Sequence, residues 1–240
     1  MTSSPSRLNI AHQRRARWLA FIEFADRHGS AHWFFRGVAD ASSHLLVPKV
    51  GRDGSAYSEP KERALFSIFR RRAVQFIPTA GLTDWDLLAI AQHHGLPTRL
   101  LDWTKNPLVA AYFAATSGPL GTTARVYALQ GSQVQDADPA TSPFEIDSVK
   151  SYMPSALVPR IVAQRGLFTA HPQPTEALAP TGGPTGPHLF DIAPDERAYF
   201  ARRLYGLGID ASSIMADLDG LCAGLNWQFG NGVALGRFGF

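Results

Sequence analysis

Cysteine is nearly absent: Cys222 is the only one in 240 residues. That excludes an internal disulfide and a zinc site built on several thiolates. No apolar run approaches the roughly 18 residues a membrane-spanning helix needs. No apolar signal segment follows Met1–Arg7 either, so a cytoplasmic setting without membrane contact is expected. Charge is sparse: 18% of residues are Asp, Glu, Lys or Arg, with a net surplus of +3. With 45% hydrophobic residues, the chain is globular rather than a disordered polyelectrolyte. Some motifs are missing too. There is no glycine-rich phosphate loop of either common type, no HExxH pair and no GxSxG elbow, so serine-hydrolase chemistry has no support.

What is present alternates between helical and strand-like patterns. Ala11–His28 carries Trp18, Phe21, Ile22 and Ala25 at helical spacing until Gly29. His32–Val38 is aromatic and β-branched, as a strand requires. Helices are expected over Pro60–Phe76 and Thr83–His94, the latter with Thr83 as cap and Gly95 as stop, and over Asn106–Ala115, with Asn as cap and Pro at the first position. Leu96–Leu101, Arg125–Gln130, Phe144–Met153, Leu167–Ala170 and His188–Ile192 read as extended. Pro159–Gln164 gives a turn or two of helix, and Asp195–Tyr205 and Ser212–Leu225 give two more helices. Strands scattered among helices make an α+β domain rather than a βαβ repeat. Pro172–Pro187, with five prolines and three glycines, is a loop.

Chemistry-bearing residues cluster in two places. Phe35-Arg36-Gly37 ends a strand with a guanidinium, suited to bidentate phosphate or carboxylate binding, and the glycine lets a ligand or another backbone come close. Gln92-His93-His94-Gly95-Leu96-Pro97-Thr98-Arg99-Leu100-Leu101-Asp102-Trp103-Thr104 is the densest polar stretch. Period-2 spacing sets Thr98, Leu100 and Asp102 on one face and Arg99 and Leu101 on the other. His93 and His94 are adjacent on a helix and do not share a face, so no metal is expected there. The arginine clusters 14, 15, 17 and 70–72 read either as solvated helix faces or as phosphate contacts.

These residues resemble the FRG domain family, named for its Phe-Arg-Gly motif. Trp33–Gly37, Leu46-Val47-Pro48-Lys49, Gln92–Thr104, Asn106–Ala114, Arg160–Thr169, Leu207–Ile209 and Asp217–Leu221 carry the resemblance, collinear over about residues 30–225. The resulting plan is a helical segment 1–29, an FRG domain 30–225 containing the loop 172–187, and a Gly-rich tail 226–240. The family implies a bacterial protein of a defence or toxin system, with a possible cognate regulator. It favours His93, beside Gln92, as the site histidine.

A second, weaker resemblance is to ADP-ribosyltransferases of the arginine–serine–glutamate type. Phe35-Arg36-Gly37, Asp102-Trp103-Thr104, Asn106-Pro107-Leu108-Val109-Ala110 and Gln164-Arg165-Gly166 follow in that class's order. It implies a split, mostly antiparallel sheet flanked by helices, with NAD as substrate and a protein or nucleic-acid acceptor. Arg36 would hold the NAD phosphates, Thr104 would orient a ribose, and a carboxylate would stabilise the oxocarbenium-like transition state. Gly166 stands where that class has its catalytic glutamate, leaving Asp102, Glu145 or Asp147 to supply the acid. The implied catalytic set is Arg36, Thr104, Gln164, Asp102 and His93, and the nucleotide-binding set is Arg36, Gly37, Gln92, Thr98, Arg99 and Trp103. Two other readings stay open: a non-catalytic nucleotide- or nucleic-acid-sensing module, and a nuclease using His93, Asp102 and a recruited metal.

Overall fold

The structure is a computed structural model that describes residues 7–54, 56–155, 159–179 and 188–233. In chain order the elements are α1 (Arg7–Arg27), β1 (Trp33–Val38), α2 (Glu59–Ala73), α3 (Asp84–His93), β2 (Leu100–Thr104), α4 (Pro107–Thr116), β3 (Ala124–Gln130) and β4 (Gln135–Asp136). Then come β5 (Lys150–Tyr152), α5 (Pro159–Ala163), β6 (Gly166–Ala170), β7 (Leu189–Ile192), α6 (Pro194–Tyr205), α7 (Ala211–Met215) and α8 (Leu218–Asn231).

Local chemistry fixes several starts. The Thr83 hydroxyl accepts from the Asp86 amide while the Asp86 carboxylate accepts from the Thr83 amide, a reciprocal box that opens α3. The Asn106 side chain accepts from the Leu108 amide at 3.0 Å, and Pro107 contributes a preset φ where no amide donor is needed, which opens α4.

The strands form one mostly antiparallel sheet in the order β4-β5-β6-β2-β1-β3-β7, with only β4 and β5 parallel. β1 and β3 share six register pairs, from Trp33 with Gln130 to Val38 with Arg125. β2 and β6 share five, from Leu100 with Ala170 to Thr104 with Gly166. Between these two ladders, β1 and β2 meet at a single pair, Phe35 with Thr104. The sheet is continuous in order but divided at its centre.

Three apolar clusters hold the layers. Trp18, Phe21 and Phe24 of α1 pack with Ala111 and Ala114 of α4, Phe200 and Leu204 of α6, and Phe35, Val126 and Ile192 of the sheet. A buried aromatic of this kind contributes roughly 1.5–3 kcal/mol, so three of them tie α1 into the common core; the helical segment before residue 29 belongs to the same fold. Phe66, Trp85 and Leu88 of α2 and α3 cover Leu100, Phe168 and Ala170 in the other half. A third cluster joins Phe34, Leu101, Trp103, Tyr127 and Leu167 to Leu46.

Several expectations need correction. Of the extended stretch Phe144–Met153, only Lys150–Tyr152 pairs, with β6. The strand expected over Leu96–Leu101 begins at Leu100 and runs to Thr104, because its ladder partner β6 ends opposite Leu100. The single helix expected over Ser212–Leu225 is two. Ala216 takes a left-handed conformation (φ +53°), and Asp217 caps a new helix by accepting from the Gly220 amide at 2.7 Å. That helix continues to Asn231, so the start of the expected tail is helical. In the Pro-rich stretch, residues 172–179 form no helix or strand, and residues 180–187 lie outside the described residues, as do 234–240 of the tail. No helix among the described residues is long and apolar enough to cross a membrane.

Candidate functional site

Where β1 and β2 part, the ladder offers no backbone partner across the gap, and a side chain crosses it instead. Arg36 Nη1 donates to the Asp102 carbonyl at 2.6 Å and lies 3.5 Å from the Asp102 carboxylate. The Arg36 side chain is only 16% exposed, and its Nε is buried without a hydrogen-bond partner. Burial lowers the guanidinium's pKa, and the nearby positive charge of Arg52 acts in the same direction against Asp102.

Around this bridge lies a cleft of about 300 Å³ lined by Arg36, Gly37, Gln92, His93, Asp102, Trp103, Thr104 and Gln164, with Phe35, Ala110, Phe113, Ser117 and Arg160. Eight of the residues singled out from the sequence therefore converge, from β1, the end of α3, β2 and the α5–β6 turn. A larger hollow of about 420 Å³, mostly apolar through Ile77, Leu82, Ile90 and Met215, adjoins it and shares His93 and Arg160.

Asp102 is the one residue of β2 whose side chain turns to solvent, 58% exposed. Gln92 donates through Nε2 to its carboxylate at 3.1 Å, and Thr98 donates to Gln92 Oε1 at 2.7 Å. A relay from Thr98 through Gln92 thus sets the acid beside Arg36. His93 is pushed below the usual imidazole pKa by burial first, then by His94 and Arg160, so it is neutral at pH 7 and able to accept a proton.

Other residues have different work. Arg99, expected at a ligand, is 1% exposed and donates to Glu62 through Nε (3.2 Å) and Nη2 (2.7 Å), with its guanidinium 4.5 Å over the Phe144 ring. It ties α2 to the start of β2 and does not line the cleft. Thr98 is buried as well and acts through Gln92. Gly37 is small for the sake of the fold: a methyl there would stand 1.9 Å from the Ala110 carbonyl oxygen, so α4 could not lie against β1. The Thr104 hydroxyl donates to the Gln164 carbonyl at 2.6 Å and accepts from the Asn106 amide at 3.0 Å, pinning the α5–β6 turn to the end of β2. Trp103 donates from Nε1 to the Thr169 hydroxyl at 2.9 Å, beneath the site.

Of the three carboxylates considered, Asp102 lines the cleft, while Glu145 and Asp147 are exposed on the loop before β5 and do not. At Gly166, paired with Thr104, a Cβ would lie 3.2 Å from Ile161 Cγ2 and 3.3 Å from its carbonyl oxygen, so a glutamate would press on α5. Among the described residues, no group of three or more His, Cys, Asp or Glu side chains is placed to hold a metal ion, which leaves the nuclease reading without a ligand cluster. Neither arginine cluster lines the cleft. Arg17 is tied to the Asp191 carbonyl and to Glu196, and Arg70 to Asp84. Sequence reasoning missed Arg160 as a wall residue; its signal was its place four residues before Gln164, one helical turn away.

Residues 31–119, from just before β1 to just past α4, match the family model of the FRG domain. The resemblance drawn from the motifs holds over that stretch. No curated protein and no solved structure matches the chain.

Proposed function

We propose that the cleft of this FRG domain handles NAD, transferring ADP-ribose to a macromolecular acceptor or to water, on an ADP-ribosyltransferase-like plan. The observation that carries it is the Arg36–Asp102 bridge at the division of the sheet, with Gln92, His93 and Gln164 around it. In the reaction the bond between the ribose C1′ and the nicotinamide nitrogen breaks, and nicotinamide leaves with the electron pair. Positive charge develops on the ribose, and Asp102, held by Gln92, is the acid placed to stabilise it. An acceptor hydroxyl or water then attacks C1′, and neutral His93 takes its proton. Arg36 would turn its guanidinium to the phosphates. A bacterial defence or toxin setting belongs to the same proposal and rests on the FRG match.

Binding without turnover is the second reading, and one observation favours it: the single proton of the Thr104 hydroxyl is committed to the Gln164 carbonyl, so in this arrangement it is not a donor to a ribose oxygen.

Calorimetric titration with NAD, with nicotinamide release followed in the same samples, separates the two. Under the first reading the wild type binds and releases, Arg36→Ala loses binding, and Asp102→Asn binds but releases roughly 100- to 1,000-fold more slowly, the usual effect of removing one stabilising group. Binding without release supports the second. Absence of NAD binding by the folded wild type overturns both.

A further inference from the structure

A second hollow of about 490 Å³ shares Arg36, Gly37 and Ser117 with the cleft, so the two are lobes of one depression. Its remaining wall comes from the turn after β1, the segment around Gly51 and Arg52, and Thr175. A methyl on Gly51 would sit 1.9 Å from the Pro174 carbonyl oxygen, so the Pro174–Thr175 backbone is seated directly on that segment and closes the lobe.

The two lobes differ in charge. The cleft contains Asp102, whereas no carboxylate lines the second lobe among the described residues; two arginines, His44 and the hydroxyls of Ser117 and Thr175 do. The nearby Asp40 is folded into its own turn, accepting from the Ser42 amide and hydroxyl and from the Ser43 hydroxyl at 2.6–2.9 Å. Arg52 is anchored through Nε to the Val47 carbonyl at 3.2 Å. It is close enough to Arg36 that its positive charge helps to lower the Arg36 pKa, and Arg36 Nε is buried without a partner. Two like charges at one wall, one of them desolvated, are stabilised when an anion comes between them.

We propose that this second lobe is the subsite for the diphosphate and nucleoside half of the ligand, with Arg36 and Arg52 holding the phosphate oxygens. The proposal rests on the nucleotide reading of the cleft and adds the residues that would recognise the far half of the molecule. At about 490 Å³ the lobe falls within the size of small-molecule sites, roughly 300–1,000 Å³.

The experiment is calorimetric titration of the full chain with ADP and, separately, with adenosine, in low-salt buffer. Wild type is compared with Arg52→Ala, Arg52→Lys and Thr175→Val, and melting curves check that each variant is folded. Arg71→Ala, which removes one exposed positive charge from α2, serves as the control for non-specific attraction. The expected result is ADP binding at least tenfold tighter than adenosine binding, weakened tenfold or more in Arg52→Ala, partly kept in Arg52→Lys and unchanged in Arg71→Ala. Equal ADP affinity in wild type and folded Arg52→Ala, or no ADP binding by the wild type, overturns the proposal. NAD turnover that persists at the wild-type rate and affinity in Arg52→Ala overturns this subsite and leaves the enzymatic reading standing. Arg52-dependent ADP binding without nicotinamide release does the reverse.

Discussion

Beneath the cleft, His171 gives the strongest quantitative prediction. It is 2% exposed. The Thr169 hydroxyl oxygen accepts from Trp103 Nε1 and lies 3.0 Å from His171 Nε2, which ties the imidazole into a buried polar chain. Burial, then Arg36, then Arg99 hold the imidazole pKa down to about 4. The unfolded chain takes up a proton near pH 6.5 while the folded protein refuses it until about pH 4. Stability from this group is thus complete above pH 6.5 and falls as pH drops through that window, by about 2 kcal/mol at pH 5 and about 3 kcal/mol by pH 4. His171→Gln retains a hydrogen-bonding amide near the Nε2 position and removes the titration. Urea denaturation of both proteins at pH 7.5 and pH 5 should show the wild type losing about 2 kcal/mol more than the variant. His28 and His93, also lowered, are present in both proteins and cancel in the comparison. Equal losses, or an imidazole that titrates near 6.5 by NMR, would refute the buried neutral assignment.

Glu62→Gln should cost roughly 3–5 kcal/mol in urea denaturation, because it leaves the Arg99 guanidinium buried without its counter-charge. Gly37→Ala should yield little folded protein, or a melting temperature many degrees lower, since the added methyl meets the α4 backbone rather than a side chain that can move. Asp217→Ala should cost about 1 kcal/mol, seen as a lower urea midpoint with a small loss of helical circular dichroism, by removing the acceptor that caps α8.

Elements with a local chemical signature were readable from the chain. Thr83 with Asp86, and Asn106 with Pro107, announce α3 and α4 within four residues, and the aromatic run at Trp33–Phe35 announces β1. Distant partners were not readable. Lys150–Tyr152 is a strand because β6 is beside it, and Phe144, equally apolar, instead packs against Phe66 and Arg99. Arg99 looked like a ligand contact because its partner, Glu62, lies 37 residues earlier and nothing in the local pattern points to it. The break at Ala216 was legible in principle: Asp217 followed three residues later by Gly220 is a cap, but it sat inside a stretch whose apolar residues suggested one helix. For the site, motif order brought eight residues to one cleft, while the use of Thr104 and Gly37 by the fold follows from contacts with Gln164 and Ala110 that sequence order does not disclose.

Mechanically, the sheet is two plates, each stiffened by its own ladder, and the seam between them holds one register pair and the apolar cluster of Phe34, Leu101, Trp103, Tyr127 and Leu167. A strut also crosses it, the Arg36 side chain reaching the Asp102 carbonyl. A ligand anion that takes the Arg36 guanidinium competes with the Asp102 carbonyl for it, so filling the cleft is traded against this one bond, while the Phe35–Thr104 pair and the apolar cluster continue to hold the two plates together. Each plate keeps its own helical cover, α1 and α6 on one and α2 and α3 on the other.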